Sequence, residues 1–170
     1  MQLAHVLAPA RGEVNRLLEQ LAAQAAARGL RVVGAVQIDV PRADGEKCDM
    51  DLALLPDGPV MRISQDLGPG ARGCTLDTAA LEGVVAEVAA RLAQGADLLI
   101  VNKFGKHEGE GRGFREVIAT ALGESIPVIV GANAANLAAY DAFTDGLSAP
   151  LPAEAGALNH WLDSLSEAAA

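Results

Sequence analysis

Most side chains that could do chemistry fall in one stretch, residues 97–114, DLLIVNKFGKHEGEGRGF. An apolar run, 98–101, leads to Asn102, and cationic and titratable groups then follow among four glycines. These groups are Lys103, Lys106, His107 and Arg112. Glycines let the backbone approach a ligand, and a helix that begins near Gly113 would direct free N–H groups and a positive dipole end outward. The pattern predicts a phosphate or oxyanion site that includes Asn102.

A solvated loop without a ligand is the other interpretation of this stretch. Glu108 and Glu110 lie among the cations and could balance their charge. If the protein acts on a nucleotide instead, Glu108 is the candidate catalytic carboxylate. Arg72, in the glycine-rich segment GPGARGC, is either a second anion-binding group or an exposed arginine in a turn.

The elements around this stretch indicate an α/β fold. Residues 98–101 have the continuous apolar character of a buried parallel strand, and ligands bind at the carboxyl ends of such strands. A strand at 2–7, an amphipathic helix at 13–28 and a strand at 30–38 form a βαβ opening. Further apolar and amphipathic segments follow up to the C-terminus. We therefore predict three layers, a mainly parallel sheet with helices on both faces.

An antiparallel hairpin is predicted as an insertion in this sheet. Residues 48–55 alternate between apolar and polar side chains, which is typical of a half-buried strand. Asp57 and Gly58 form a strong turn signal, and residues 60–64 supply the returning strand. The apolar face of this hairpin could belong to the core or to a homodimer or other protein partner.

Length and charge limit the other function classes. With 170 residues, the chain is long enough for one domain with its own core, and we predict a single domain over 1–170. The net charge of −9 argues against general binding to nucleic acid or to an anionic membrane. Without a secretory signal or an apolar run of about 20 residues, a cytoplasmic location is expected.

The two cysteines have no metal-binding spacing. Cys48 and Cys74 are 26 residues apart and no Cys-x-x-Cys motif is present, so they are expected to be reduced thiols. They are either soft ligands for molybdenum, tungsten or copper, or small buried hydrophobic residues.

The order strand, turn, helix, strand resembles the P-loop nucleoside triphosphatases, and among them the small thermophilic family with a hairpin after its second strand. That family has a glycine-rich turn ending Gly-Lys-Thr after its first strand. The matching segment here is APARGEV, residues 8–14: Gly12 is present, but Glu13 stands where the lysine is expected. Arg11 either replaces that lysine or is a surface residue. Since lysine binds the phosphates and the hydroxyl holds magnesium, the motifs do not support magnesium.

A second family motif, Asp-Glu-Ile-Gly, also departs from its pattern here. The matching segment is NKFG, residues 102–105, in which both carboxylates are absent. The resemblance therefore implies the fold and an anion-binding position near Gly12, with degenerate catalytic motifs.

Nearly the whole chain is similar to a bacterial family of unknown function that is often encoded beside molybdate-transport genes. The matching motifs are CDMDL (48–52), ISQDLG (63–68), GCTLD (73–77) and NKFGK with GRG (102–106 and 111–113). This resemblance implies a role in molybdenum or tungsten metabolism.

Three functions are consistent with these observations. The first is a binding protein for a nucleotide, a phosphate or a molybdate- or tungstate-type oxyanion. The second is an atypical nucleotide hydrolase or phosphotransferase that uses Lys103, Lys106 and Glu108. The third is a protein-interaction module with a vestigial pocket.

Overall fold

A computed structural model describes residues 2–8, 10, 12–41, 48–65 and 76–168. Within them the strands are β1 (Leu3–Leu7), β2 (Val32–Pro41), β3 (Cys48–Leu55), β4 (Val60–Arg62), β5 (Leu98–Phe104), β6 (Val128–Ala132) and β7 (Ala149–Leu151). The helices are α1 (Glu13–Ala27), α2 (Thr78–Leu92), α3 (Lys106–Gly109), α4 (Arg115–Gly123), α5 (Leu137–Thr144) and α6 (Ala155–Ala168), with a 3₁₀ turn at Ala134–Asn136. No described helix is long and apolar enough to cross a membrane.

The described strands form one sheet in the order β4-β3-β2-β5-β6-β1-β7. Neighbours from β2 to β7 in this order run parallel, and the β3–β4 hairpin adds to β2 in antiparallel register. Because β1 and β5 both run parallel to β6, which lies between them, the turn after β1 and the loop after β5 open at the same edge of the sheet. The predicted mixed sheet with its inserted hairpin is confirmed.

Helices cover both faces of the sheet and divide the core in two. On one face, α1 and α6 pack through Leu18 and Leu162, with Trp161, the one tryptophan in the sequence, 6% exposed between them and the sheet. On the other face, α2 and α4 pack through residues such as Val84 and Ile118. The three predicted layers are therefore present.

Strand β5 differs from its prediction. The sequence indicates a break at Asn102, but β5 continues to Phe104, with a shift of register against β6 between Asn102 and Phe104. The buried Phe104 side chain packs edge-on against Tyr140, which keeps this segment in the sheet. The predicted loop also contains the one-turn helix α3. An irregular strand end of this kind is common beside binding sites.

Two edge strands also differ. No strand is predicted at Ala149–Leu151 from the sequence, yet these residues pair with β1 as β7. Three residues that include a proline give too short a pattern to predict a strand. Strand β4 ends at Arg62, two residues earlier than predicted, and Ser64 makes only an isolated bridge to Leu76.

Candidate functional site

A cavity of about 640 Å³ opens at the carboxyl end of β5. Its apolar wall comes from the hairpin side and from α2 and includes Leu52, Ile63 and Leu81. Its polar lining consists of Gln37, Thr78, Asn102, Lys103, Lys106, His107, Glu108, Glu110, Arg112, Asn133 and Asn136. The structure therefore brings together Asn102, Lys103, Lys106 and Arg112, as the sequence predicts, and adds an apolar surface that the sequence analysis does not include.

Among the described residues, the three cations at the cavity differ in their ion pairs. Glu110 lies 3.7 Å from Lys106 Nζ and 2.6 Å from a guanidinium nitrogen of Arg112. The hydrogen bond from Arg112 is the main cause that holds the pKa of Glu110 below its ordinary value. Lys103 is exposed and has no ion pair to a described residue. Lys103 is therefore the cation most available to a ligand.

Glu108 is a buried structural carboxylate. Its side chain accepts hydrogen bonds from the backbone N–H groups of Gly105, at 2.9 Å, and Phe114, at 3.3 Å, and the residue is 2% exposed. Burial raises the pKa of Glu108, although these N–H groups act in the opposite direction. A Cβ on Gly113 would lie 2.1 Å from Glu108 Oε1, so this position requires glycine. Glu108 therefore closes the loop between β5 and α4.

Glu82 of α2 binds the same loop from outside. Its Oε1 lies 2.6 Å from Nε2 of the buried His107 and accepts the N–H of Gly113 at 2.9 Å. Burial acts to raise the pKa of Glu82, but the hydrogen bonds from His107 and Gly113 outweigh it and lower the pKa. The N–H groups of Gly113 and Phe114, which the sequence suggests for an external anion, thus bind the chain's own carboxylates.

We expect Glu82→Gln to lower stability by about 1 kcal/mol or less at neutral pH, because it weakens two hydrogen bonds at a half-exposed side chain. A carboxyl group whose pKa is lowered by folding stabilises above its unfolded pKa, and this contribution is lost as the pH falls through the folded pKa. The free energies of unfolding of Glu82→Gln and wild type in urea should therefore differ at pH 7 and converge at an acid pH below the folded pKa of Glu82. Glu87→Gln, on the exposed side of the same helix, is the control. An equal difference at both pH values would contradict this account.

A chain of hydrogen bonds links β2, α1 and β5 beside the cavity. Gln37 Nε2 donates to Asp39 Oδ1 at 2.7 Å, and Asn15 Nδ2 donates to Asp39 Oδ2 at 3.2 Å. Asn102 Nδ2 in turn donates to Asn15 Oδ1 at 2.7 Å. Asn15, Gln37 and Asp39 are not among the site residues predicted from the sequence. The available signal was the polar alternation of Gln37 and Asp39 at the carboxyl end of an apolar strand.

The carboxylate of Asp39 fixes the donor-to-acceptor direction of these hydrogen bonds. An ionised carboxylate only accepts, so Asn15 must turn its NH₂ group to Asp39 and its oxygen to Asn102. Asn102 must then donate to Asn15 through its NH₂ group, and the Asn102 side-chain oxygen points away from Asn15. Asn102 is 1% exposed and its Oδ1 has no hydrogen-bond partner among the described residues.

The predicted anion position at Gly12 lies in the turn between β1 and α1. Gly12 is the N-cap of α1 with φ +77°, and a Cβ there would lie 3.8 Å from Asp39 Oδ2. Arg11, Arg72 and Cys74, which the sequence analysis also singles out, lie outside the described residues. Cys48 begins β3, but its side chain is also outside the description. Among the described residues, no cluster of three or more His, Cys, Asp or Glu side chains could hold a metal ion.

Two solved structures share this fold over nearly the whole chain. A human cancer-related nucleoside triphosphatase superposes with a TM-score of 0.67 at 16% identity, covering 99% of this chain and 97% of that chain. THEP1 from the hyperthermophile Aquifex aeolicus gives a TM-score of 0.70 at 13% identity, covering 97% and 99%. At these identities the similarity establishes the fold, and the predicted P-loop NTPase-like architecture is confirmed.

Sequence comparison identifies the family. The molybdenum import ATP-binding protein ModC 2 of Bradyrhizobium diazoefficiens is 32% identical over 160 residues. These cover 94% of this chain and 18% of that protein, so the chain spans about a fifth of the length of this curated relative. A family model described as Protein of unknown function (DUF2478) matches residues 3–161. The predicted family is thereby confirmed, and the chain belongs to DUF2478.

Proposed function

We propose that this protein binds a nucleotide in the cavity at the carboxyl end of β5. The observation that carries the proposal is the pairing of an apolar wall, which includes Leu52 and Ile63, with a cationic rim. The rim consists of Lys103, Lys106 and Arg112. The apolar wall suits a base, and the cations suit phosphates. The volume of about 640 Å³ is in the ordinary range for sites of this ligand size.

Binding without rapid hydrolysis is the expected mode. The turn after β1 has Glu13 and Val14 at the positions where a phosphate-binding Gly-Lys-Thr motif has lysine and threonine. Glu108 is engaged by two backbone N–H groups and is buried, so it has no free geometry for activating water. The proposed activity is therefore nucleotide binding and not rapid hydrolysis, and a cytoplasmic location remains part of the proposal.

A molybdate- or tungstate-type oxyanion is the second candidate ligand. It is favoured by the curated relative, whose name specifies molybdenum import and ATP binding. Such an ion would fill only part of the cavity and would leave the apolar wall in water. For this reason the nucleotide is the first choice and the oxyanion the second.

Thermal unfolding against a ligand panel tests this proposal. The panel is ATP, GTP, ADP, phosphate, molybdate, tungstate and sulfate, each with and without magnesium. A ligand at 100 times its dissociation constant should add about 2.7 kcal/mol, or about 5–10 °C for a chain of this size. We expect a nucleotide to give this shift, and Lys103→Gln to weaken its binding about tenfold because a charge-assisted contact is lost.

Arg28→Gln is the matched control, since it removes the same charge at the far end of α1, where Arg28 pairs with Asp163. The measured quantity is the difference in Tm with and without ligand for each variant, so the effect of the substitution on the ligand-free protein cancels. A shift with molybdate alone would transfer the proposal to the oxyanion. Equal effects of Lys103→Gln and Arg28→Gln, or no shift with any ligand, would contradict a site at this cavity.

A further inference from the structure

A groove of about 630 Å³ lies between α2 and α4 and is lined by these helices and the segment before α4. On α2 and its C-cap, the lining positions are 78, 79, 82, 85, 89, 92 and 93, which recur at helical spacing over the whole helix. On α4 and its C-cap, positions 116, 117, 120 and 124 recur in the same way. A groove between two helices is the kind of surface on which a third helix packs.

The base of this groove is apolar and its α2 side is made of small residues. Val85, Leu92 and Val117 are buried at the base, and the lining positions 79, 89 and 93 are exposed alanines. Because an alanine side chain is a single methyl group, these positions let another backbone come close to α2. An exposed apolar strip of this kind gains stability when a partner's apolar side chains cover it.

The charged groups along the groove are mainly acidic. Glu82, Glu116 and Glu124 line it, and Arg112 is the one Lys or Arg among its described lining residues. Arg112 is already paired with Glu110 at 2.6 Å. The carboxylates of Glu116 and Glu124 make no ion pair with a described residue. The groove therefore has a negative rim, which is complementary to a basic segment.

The helices of this chain do not supply such a segment. Within the described part of the chain, no helix has more Lys and Arg than Asp and Glu, and α5 and α6 contain neither Lys nor Arg. The whole chain carries a net charge of −9. A helix from a second copy would therefore bring like charge to the acidic rim, which disfavours that occupant.

We propose that the α2/α4 groove binds a basic amphipathic helix of another protein. Apolar side chains of that helix would cover the alanine strip, and Lys or Arg beside them would pair with Glu116 and Glu124. From Thr78 to Ala93 the α2 side is about 22 Å long at about 1.5 Å per residue, which matches a partner helix of about 15 residues.

This interface is separate from the proposed nucleotide site. Thr78, His107 and Arg112 line both the groove and the cavity at the end of β5. The substitutions that test the interface are therefore placed toward the C-terminal ends of α2 and α4, away from these shared residues.

The test measures binding of a synthetic, side-chain-stapled helical peptide of about 15 residues by fluorescence anisotropy. The peptide has leucine and alanine along one face and lysines beside them. We expect Ala89→Arg to weaken its binding at least about tenfold, because a long cationic side chain fills the groove and repels the lysines. Ala90→Arg is the matched control, since this neighbouring alanine is also exposed but does not line the groove. Arginine is nearly as good a helix former as alanine, so both variants should fold.

The charge of the rim is tested separately. Glu116→Gln/Glu124→Gln should weaken peptide binding about three- to tenfold, because two ion pairs are lost. Glu87→Gln, which removes a charge from α2 outside the groove, should leave binding unchanged. A peptide with glutamate in place of lysine, and one with the same residues scrambled around the helix, should bind much more weakly than the basic peptide.

Circular dichroism and thermal unfolding establish that each variant is folded before titration. Equal effects of Ala89→Arg and Ala90→Arg, or equal binding of the basic, acidic and scrambled peptides, would overturn the proposal. Sedimentation velocity of the protein alone covers the other occupant: a dimer that Ala89→Arg abolishes and Ala90→Arg preserves would assign the groove to a second copy and also overturn it. Loss of nucleotide binding in Lys103→Gln concerns only the cavity.

Discussion

Asn102→Asp should destabilise the protein by about 3 kcal/mol at neutral pH, a fall of about 6–12 °C in Tm. The substitution introduces a carboxylate into surroundings that are built for an amide donor. Asn102 is 1% exposed and donates to Asn15 Oδ1 at 2.7 Å. A carboxylate cannot donate, so two oxygens would face each other, and a second negative charge would be buried near Asp39.

Asn133→Asp is the matched control for this prediction. Asn133 accepts the N–H of Asn136 at 3.0 Å as the cap of the 3₁₀ turn, and a carboxylate accepts equally well. Its Tm should stay within about 1–2 °C of wild type. The Asn102→Asp defect should also shrink at acid pH, where the new carboxyl group is protonated and can donate to Asn15. A Tm equal to that of wild type at pH 8 would contradict the proposed direction of the hydrogen-bond chain.

Glu108→Ala should cost about 2–4 kcal/mol of stability and loosen the loop between β5 and α4. It would leave the N–H groups of Gly105 and Phe114 without their acceptor in a buried region. Chemical denaturation measures the loss, and faster amide hydrogen exchange over residues 105–114 localises it. Glu110→Ala, two residues away on the exposed side of the loop, should have little effect on stability.

The pH dependence of stability tests the raised pKa of Glu108. Burial raises the pKa of Glu108, so the folded state favours the protonated form and wild type loses stability as the pH rises from the unfolded pKa through the folded pKa. Glu108→Gln is neutral at every pH and should lack this loss. Its stability relative to wild type should therefore improve toward alkaline pH. A constant difference across the range would contradict a raised pKa.

The sequence predicts the fold well because its signals are local and periodic. The stripe that includes Leu17, Leu18 and Leu21 specifies the buried face of α1, and the apolar run from Leu98 specifies the central strand. Strand β7 was not predicted because three residues are too few to show an alternating pattern. The extension of β5 was missed because Phe104 is held in the sheet by Tyr140, a contact between residues 36 positions apart.

The candidate site can be predicted only in part from the sequence, because some of its contacts join residues that are far apart along the chain. Lys103, Lys106 and Arg112 are clustered along the chain, so their common location could be predicted. Asp39 and Glu82 act on this region from β2 and α2, and no spacing along the chain places them there. Charge patterns also could not reveal that two helix N-termini are close to internal carboxylates, since this depends on which side chains meet across elements.

The position of Trp161 has a consequence for spectroscopy. This sole indole is packed with α1 and α6 on the sheet face opposite the apolar wall of the cavity. Its intrinsic fluorescence should change when the α1/α6 layer separates from the sheet. A ligand bound beside Lys103 should leave that emission almost unaltered. Trp161 fluorescence would thus report on the face covered by α1 and α6, and a fluorescent label near the cavity would report separately on the opposite face.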